Sequence, residues 1–266
     1  MRGLFAFPVI AVFSVSPALA AETPHFGYSG ANAPDKWSSL SPAYSACSAG
    51  RNQSPVDIVA TIDASLPRLE FNYASLAQDF VNNGHAVQAD YATGSSLADD
   101  YHRHAPYRAH VTYAPGATLQ HGEGSFGLKQ FHFHSPSEHQ WRGVNAAAEI
   151  HFVHADAQGN LAVVGVAVHS GPENAAIARL FEALPGEEGQ KNALQGFNAS
   201  DLLPKDRGYN YYSGSLTTPP CSEGVRWIVM KQPIMMSDTQ IEALRKAIGF
   251  ANNRPVRPLN GRAVLE

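Results

Sequence analysis

Two short stretches of this 266-residue chain carry residue types that could do chemistry together: Gln130 to His139, QFHFHSPSEH, and Ala148 to Phe152, AEIHF. In an extended strand successive side chains point to opposite faces. Gln130, His132 and His134 therefore share one face, and Phe131 and Phe133 the other. By the same rule Glu149, His151 and Val153 share a face, and pairing the two strands would bring a third imidazole to the first two. Three neutral imidazoles on rigid strands, with one position left for water, make the donor set of a catalytic zinc. Gln130 and Glu149 each stand two residues before a histidine, on its own face, where they can accept the ring N–H that a metal does not use. A His-x-His pair in a strand is also often no more than a half-buried polar face. The Gln and Glu favour the metal, because a core histidine needs no such acceptors. This pattern names a site and not a reaction.

A hydroxide held by such an ion needs a neighbour to take its remaining proton, so that a lone pair is aimed at the substrate. It also needs a route for the proton released in each turnover. SGSLTTPPC, Ser213 to Cys221, offers the first: Thr217 could accept a hydrogen bond from the hydroxide while donating its own to a carboxylate. Glu138, four residues after His134, is the candidate acceptor. The same stretch also reads as a plain Thr-Thr-Pro-Pro turn.

The elements that must hold these groups are mostly short strands. RNQSPVDI, Arg51 to Ile58, reads as a turn feeding a strand, and β-like runs follow at Leu69–Tyr73, Asp79–Asn82 and Ala86–Tyr91. Asn82-Asn83-Gly84 is the turn between the last two. Leu161–His169, LAVVGVAVH, is an uninterrupted apolar run expected of a strand buried on both faces, and Val225–Lys231 is another strand. Ser170 to Leu184 predicts a helix, with Ser170 and Glu173 as a capping box, Ile177, Leu180, Phe181 and Leu184 as its stripe, and Pro185-Gly186 as its stop. A second helix starts at Ser237, with Gln240 at the box position, and ends by Gly249. Ala21 to Gly50 reads as an irregular arm docked on the body through His25, Phe26, Tyr28 and Trp37. With no repeat and no break in composition, the expectation is one α+β domain dominated by strands, with a few peripheral helices.

Residues 94–124 are rich in Gly, Asp and His, with a strand expected around His110–Tyr113. Their His102, His104, His110 and His121 read as a solvated loop in preference to a second metal site. Residues 1–20 carry Arg2 as their one charge, an apolar run from Leu4 to Val15 and Ala18-Leu19-Ala20. This is the pattern of a secretory leader cleaved after about Ala20, which leaves 21–266 as the working domain in the periplasm or outside the cell. Pro8 and Pro17 break the apolar stretch, and no later run is long enough to cross a bilayer. In an exported chain Cys47 and Cys221, the only cysteines, most simply form one disulfide. The balance of 19 Lys+Arg against 23 Asp+Glu gives −4 without a basic stripe, which argues against nucleic acid as a partner.

Taken together, the motifs resemble the alpha-class carbonic anhydrases of bacteria, of the exported kind. HFGY (25–28), QSPVDI (53–58), NNGH (82–85), QFHFHSPSEH (130–139), AEIHFVH (148–154), LAVVGV (161–166), YYSGSLTTPPC (211–221) and NNRPVRPLN (252–260) run nearly the length of the mature chain. The resemblance implies a large twisted, mostly antiparallel central sheet and one zinc on His132, His134 and His151. It implies reversible hydration of CO2 to bicarbonate and a proton by hydroxide on that zinc, with slow ester hydrolysis as a side activity. Thr217 would orient the hydroxide, backed by Glu138, and His85 would carry the proton out. Tyr28, Asn83 and Gln88 would line the water path to His85, while Gln130, Glu149 and the carbonyl of Asn252 would hold the three ligands. Val153, Val163, Leu216, Val225 and Trp227 match the apolar substrate wall, with Thr218 beside them, and Cys47 and Cys221 fall where exported members carry their disulfide. Residues 94–124 are longer than the equivalent segment of compact members, and the link from His134 to Glu138 is the short bacterial one. The oligomeric state, a homodimer included, stays open.

Overall fold

A computed structural model describes residues 24–73, 77, 79–90, 117–194 and 196–266. The leader, the strand expected at His110–Tyr113, and His102, His104 and His110 lie outside the described residues.

The body is a large mixed sheet. Its main path runs, in order, Lys191–Ala193, Asp79–Asn82, Val87–Asp90, Gly124–His134, Ala148–Ala155, Leu161–Ser170, Glu223–Met230 and Tyr209–Ser215. Leu69–Tyr73 and Ala117–His121 extend from Gly124–His134, and Ile234–Met236 pairs with Leu161–Ser170. The pairings are antiparallel except those of Leu161–Ser170 with Glu223–Met230 and with Ile234–Met236. A small second sheet joins Asp57–Ile58, Gln140–Trp141 and Val144–Asn145. Among the described residues no helix is long and apolar enough to cross a membrane.

Alternation along the central strands divides their side chains between two apolar bodies. Phe131, Phe133, Ile150, Phe152, Val164, Val166, Ile228 and Met230 point into the main core, which the helices Ala175–Phe181 and Asp238–Ile248 cover with Ile177, Leu180, Ile241 and Leu244. Val153, Val163, Val225, Trp227 and Val229 point the other way, into a smaller cluster with Val56, Tyr212 and Leu216. The three histidines stand on this second face, because His132 and His134 alternate with Phe131 and Phe133, and His151 with Ile150 and Phe152.

Three expectations need correction. The helix after the long buried strand is only Ala175–Phe181, and its cap is Asn174, whose Oδ1 accepts from the backbone N–H groups of Ala176 and Ile177. Ser170 and Glu173 form no box, because Ser170 is still in the ladder opposite Met236 and its hydroxyl donates to Asp238. The arm is less irregular than its composition suggests: single turns of helix at Trp37–Leu40 and Ala46–Ala49 bury Trp37 and Cys47. Finally, Ala117–His121 is a strand within a stretch read as loop. The helix Asp238–Ile248 has the expected box, Ser237 and Gln240 bonding reciprocally, and ends at Gly249 with φ of 84°. A disulfide joins Cys47 to Cys221 across 174 residues of chain.

Candidate metal centre

Strand register assembles the site. His132 lies directly opposite His151 in the antiparallel pair, and His134 opposite Glu149. The register shifts between Leu128 and Gln130, a bulge next to the site of the kind that re-aims the side chains beyond it. Gly165 is opposite His151 on the other side, and a Cβ there would come within 2.8 Å of Glu149 Oε1 and 3.8 Å of the His151 ring. The glycine in LAVVGV therefore leaves room for that ring and its acceptor.

Each ring is oriented by its unused nitrogen. His132 Nδ1 donates to Gln130 Oε1 at 2.8 Å, and His134 Nδ1 donates to the carbonyl oxygen of Asn252 at 2.7 Å. His151 Nε2 lies 3.0 Å from Glu149 Oε1. In the neutral rings the protons are thus on the outward nitrogens. His132 Nε2 and His134 Nε2 then face each other 3.1 Å apart with their acceptor sides, an arrangement that a cation between them would favour. One ligand atom from each of His132, His134 and His151 falls within 4.8 Å of the others. Burial pushes His134 down to about 4, against the pull of the Asn252 carbonyl and the Glu149 charge, and also lowers His151 against Glu149. Neutral imidazole is the form a metal binds. Donor type, direction and protonation all fit a zinc.

Glu138 is fully buried behind the cluster. Its Oε1 accepts from the backbone N–H of Arg254 at 2.8 Å, and its Oε2 lies 3.6 Å from His134 Nε2 and 3.8 Å from His151 Nδ1. Burial pushes this carboxyl up to about 7, while the His151 ring, the Arg254 N–H and a hydrogen bond from the Thr217 hydroxyl pull it back. Thr217 is buried on the segment after Tyr209–Ser215. Thr218 is half-buried, and its carbonyl accepts from Cys221 N–H.

Other expected residues fall around this centre. Val153, Val163, Leu216, Val225 and Trp227 form one apolar body, and the Trp227 ring lies 4.9 Å from that of His151. Gln88 is opposite His132 in the ladder. Tyr28 packs between Trp37 and Phe250. Burial and then the Glu138 charge hold its hydroxyl well above the usual phenol range, with Arg254 opposing. Asn83 Oδ1 accepts from the N–H groups of His85 and Ala86, so it shapes the turn that carries His85. Asn252 joins the two ends of the site, since its amide donates to the carbonyls of His85 and Phe133 while its own carbonyl holds His134.

A buried chain of bonds was missed in the sequence. Glu149 Oε2 accepts from the backbone N–H groups of Glu138 and His139, and Glu149 Oε1 also lies 2.7 Å from His139 Nδ1. Burial alone would raise Glu149, but His139 and His151 on either side hold it well below the usual carboxylate range. His139 Nε2 meets the Tyr212 hydroxyl at 2.7 Å, Tyr212 donates to Ser54 Oγ, and Ser54 Oγ accepts from Ser215 N–H. The third histidine is thereby linked to the strand that leads into Thr217. The one sequence signal was His139 itself, inside QFHFHSPSEH.

The family model for eukaryotic-type carbonic anhydrase matches residues 32–266. The chain belongs to the carbonic anhydrase family. A carbonic anhydrase of Neisseria gonorrhoeae is 38% identical over 263 residues, which span 99% of this chain and 96% of that one. Among solved structures, the alpha-carbonic anhydrase of Thermovibrio ammonificans in complex with the inhibitor sulfanilamide is 43% identical, with a TM-score of 0.81 over 91% of this chain and 99% of that chain. That of Photobacterium profundum is 39% identical, with a TM-score of 0.78 over 91% and 100%. This carbonic anhydrase shares with those enzymes a strand-rich, mostly antiparallel sheet, and its three-histidine cluster is compatible with the zinc on which the family depends.

Proposed function

We propose that residues 21–266 form an exported enzyme that hydrates CO2 reversibly to bicarbonate and a proton, with one zinc on His132, His134 and His151. The observation that carries this reading is the convergence of one ring nitrogen each from His132, His134 and His151 within 4.8 Å, with His132 and His134 fixed by an acceptor behind the ring. Zinc, when bound, ionises a water near neutral pH, at about 7 in the measurements made on this same class of enzyme.

Thr217 accepts the remaining proton of the nucleophile as a hydrogen bond and donates its own hydroxyl proton toward Glu138, whose carboxylate form, favoured by that bond against the cost of burial, can only accept. Gln130, Glu149 and the Asn252 carbonyl hold the ligand rings in the tautomers that face the centre. Val153, Val163, Leu216, Val225 and Trp227 give a nonpolar wall, which suits a linear molecule with no charge to grip. His85 takes up the released proton at a ring nitrogen and hands it toward solvent, with Tyr28 and Gln88 beside the path. The leader at 1–20 and the Cys47–Cys221 disulfide support a periplasmic or extracellular site of action. Slow hydrolysis of small esters follows from the same nucleophile.

Metal analysis and CO2 hydration of His134→Ala test the ligand set. Zinc and activity should be lost together, and a variant that keeps one zinc per chain would remove His134 from it.

A further inference from the structure

We propose that His121, Tyr211 and Arg226 form a binding site for bicarbonate on the face of the sheet opposite the three histidines. They meet where the hairpin of Ala117–His121 and Gly124–His134 packs on Tyr209–Ser215 and Glu223–Met230. The His121 ring lies 5.8 Å from that of Tyr209 and 5.3 Å from that of Tyr211, both at the main core, and the Arg226 guanidinium stands 5.2 Å over the Phe126 ring. Arg226 is two residues before Ile228, the ladder partner of Tyr211, so Arg226 and Tyr211 are diagonal neighbours on one face.

All three carry polar groups left without a bond. His121 is 7% exposed, and its Nδ1 is buried with no hydrogen-bond partner. Among the described residues the half-buried Arg226 guanidinium makes no ion pair and no hydrogen bond, and the half-buried Tyr211 hydroxyl makes no hydrogen bond either. A buried group in this condition calls for a ligand that satisfies it. The Tyr209 hydroxyl gives its single proton to the carbonyl of Pro67 at 2.6 Å, so at 3.1 Å it accepts from His121 Nε2–H. Burial and then the Arg226 charge lower His121, which keeps the ring neutral and leaves Nδ1 as an acceptor. The site therefore offers a cationic fork, a hydroxyl donor and one acceptor. Bicarbonate is the complement: its two anionic oxygens accept from Arg226 and Tyr211, and its own O–H donates to Nδ1. Acetate and nitrate match its shape and charge but lack the O–H, and water would leave the guanidinium uncompensated.

The test is nitrogen NMR of the mature, zinc-loaded protein with isotope-labelled histidine, the Nδ1 signal being assigned by its loss in His121→Gln. Bicarbonate, acetate, nitrate and hydrogen phosphate are titrated separately at constant ionic strength in slightly alkaline buffer. Bicarbonate should move that signal saturably with a Kd on the order of millimolar, and acetate and nitrate should bind about tenfold more weakly. Arg226→Met keeps the stem over Phe126 and removes the charge; it should weaken binding about tenfold or more, and Tyr211→Phe about threefold. No saturable shift with any of the anions, or one that survives in Arg226→Met, would overturn the site. Acetate binding as tightly as bicarbonate, or hydrogen phosphate binding more tightly, would overturn bicarbonate as its occupant. The titration reads His121 itself, so its result is separate from that of the reaction proposed at the metal.

Discussion

Thr217 matters because a hydroxyl owns a single proton. If that proton is committed to Glu138, the oxygen can only accept from the nucleophile, and the direction of the whole chain of bonds is fixed by one buried carboxylate. Glu138→Gln puts an amide where the carboxyl stood, so that no carboxylate form can accept from Thr217, and leaves every ligand in place. It should lower kcat/KM about 100-fold or more, the usual cost of one misdirected bond at a reacting centre, with zinc content unchanged. A Gln variant of full activity would show that Thr217 needs no ionised partner. The roles of Gln130 and Glu149 were legible because a two-residue offset in a strand is a statement about faces. His139 gave no such signal: its partners Tyr212 and Glu149 are 73 and 10 residues away, and Tyr212 reaches Ser54 across 158. Only the folded sheet makes those groups neighbours.

At the scale of elements, one strand serves both sides of the sheet. Glu149, His151 and Val153 of Ala148–Ala155 face the centre, and Ile150, Phe152 and His154 the core side. His154 has no exposure: its Nδ1 donates to the carbonyl of Ala162 at 3.2 Å, and its Nε2 accepts from the Tyr73 hydroxyl at 2.6 Å. Burial pushes it down to about 4. An unfolded chain binds that proton near 6.5, so between those values the unfolded state holds more protons and stability is lost as the pH falls. The loss from His154 alone is about 3 kcal/mol. Urea unfolding at pH 7.5 and pH 4.5 should show a drop that shrinks by most of that amount in His154→Gln; an equal drop in both proteins would contradict it. Gly165→Ala would press a methyl into the Glu149 carboxylate that holds the His151 ring, and should weaken zinc binding about tenfold or more. Metal competition would check this, and an unaltered affinity would mean the Glu149 carboxylate does not need the space. Propensity failed at Ser170 for a tertiary reason: pairing with Ile234–Met236 kept it in the strand, and the cap moved on to Asn174.

For the molecule as a whole, the sequence legibly carried a strand-rich domain with one face committed to chemistry, since alternation is local and repeated. The turns of helix in the arm and the strand Ala117–His121 were not legible, because single turns take their shape from what they pack on and a short strand from the partners it lies between. The arm is bound into the site region by long-range links. The disulfide spans 174 residues, and Arg254 donates to the carbonyls of Cys47 and Ser54 while its own N–H holds Glu138. Replacing both cysteines by serine should cost about 2–5 kcal/mol, read as a lower urea midpoint; no change would mean that packing around Trp37 alone secures the arm.

The most direct measurement is CO2 hydration by the purified mature protein, followed by stopped flow with a pH indicator before zinc is stripped, after stripping, and after one equivalent is returned. Fast hydration that disappears with the metal and comes back with it is the predicted result. A folded protein that holds one zinc on these histidines and hydrates no CO2 would contradict the proposed function.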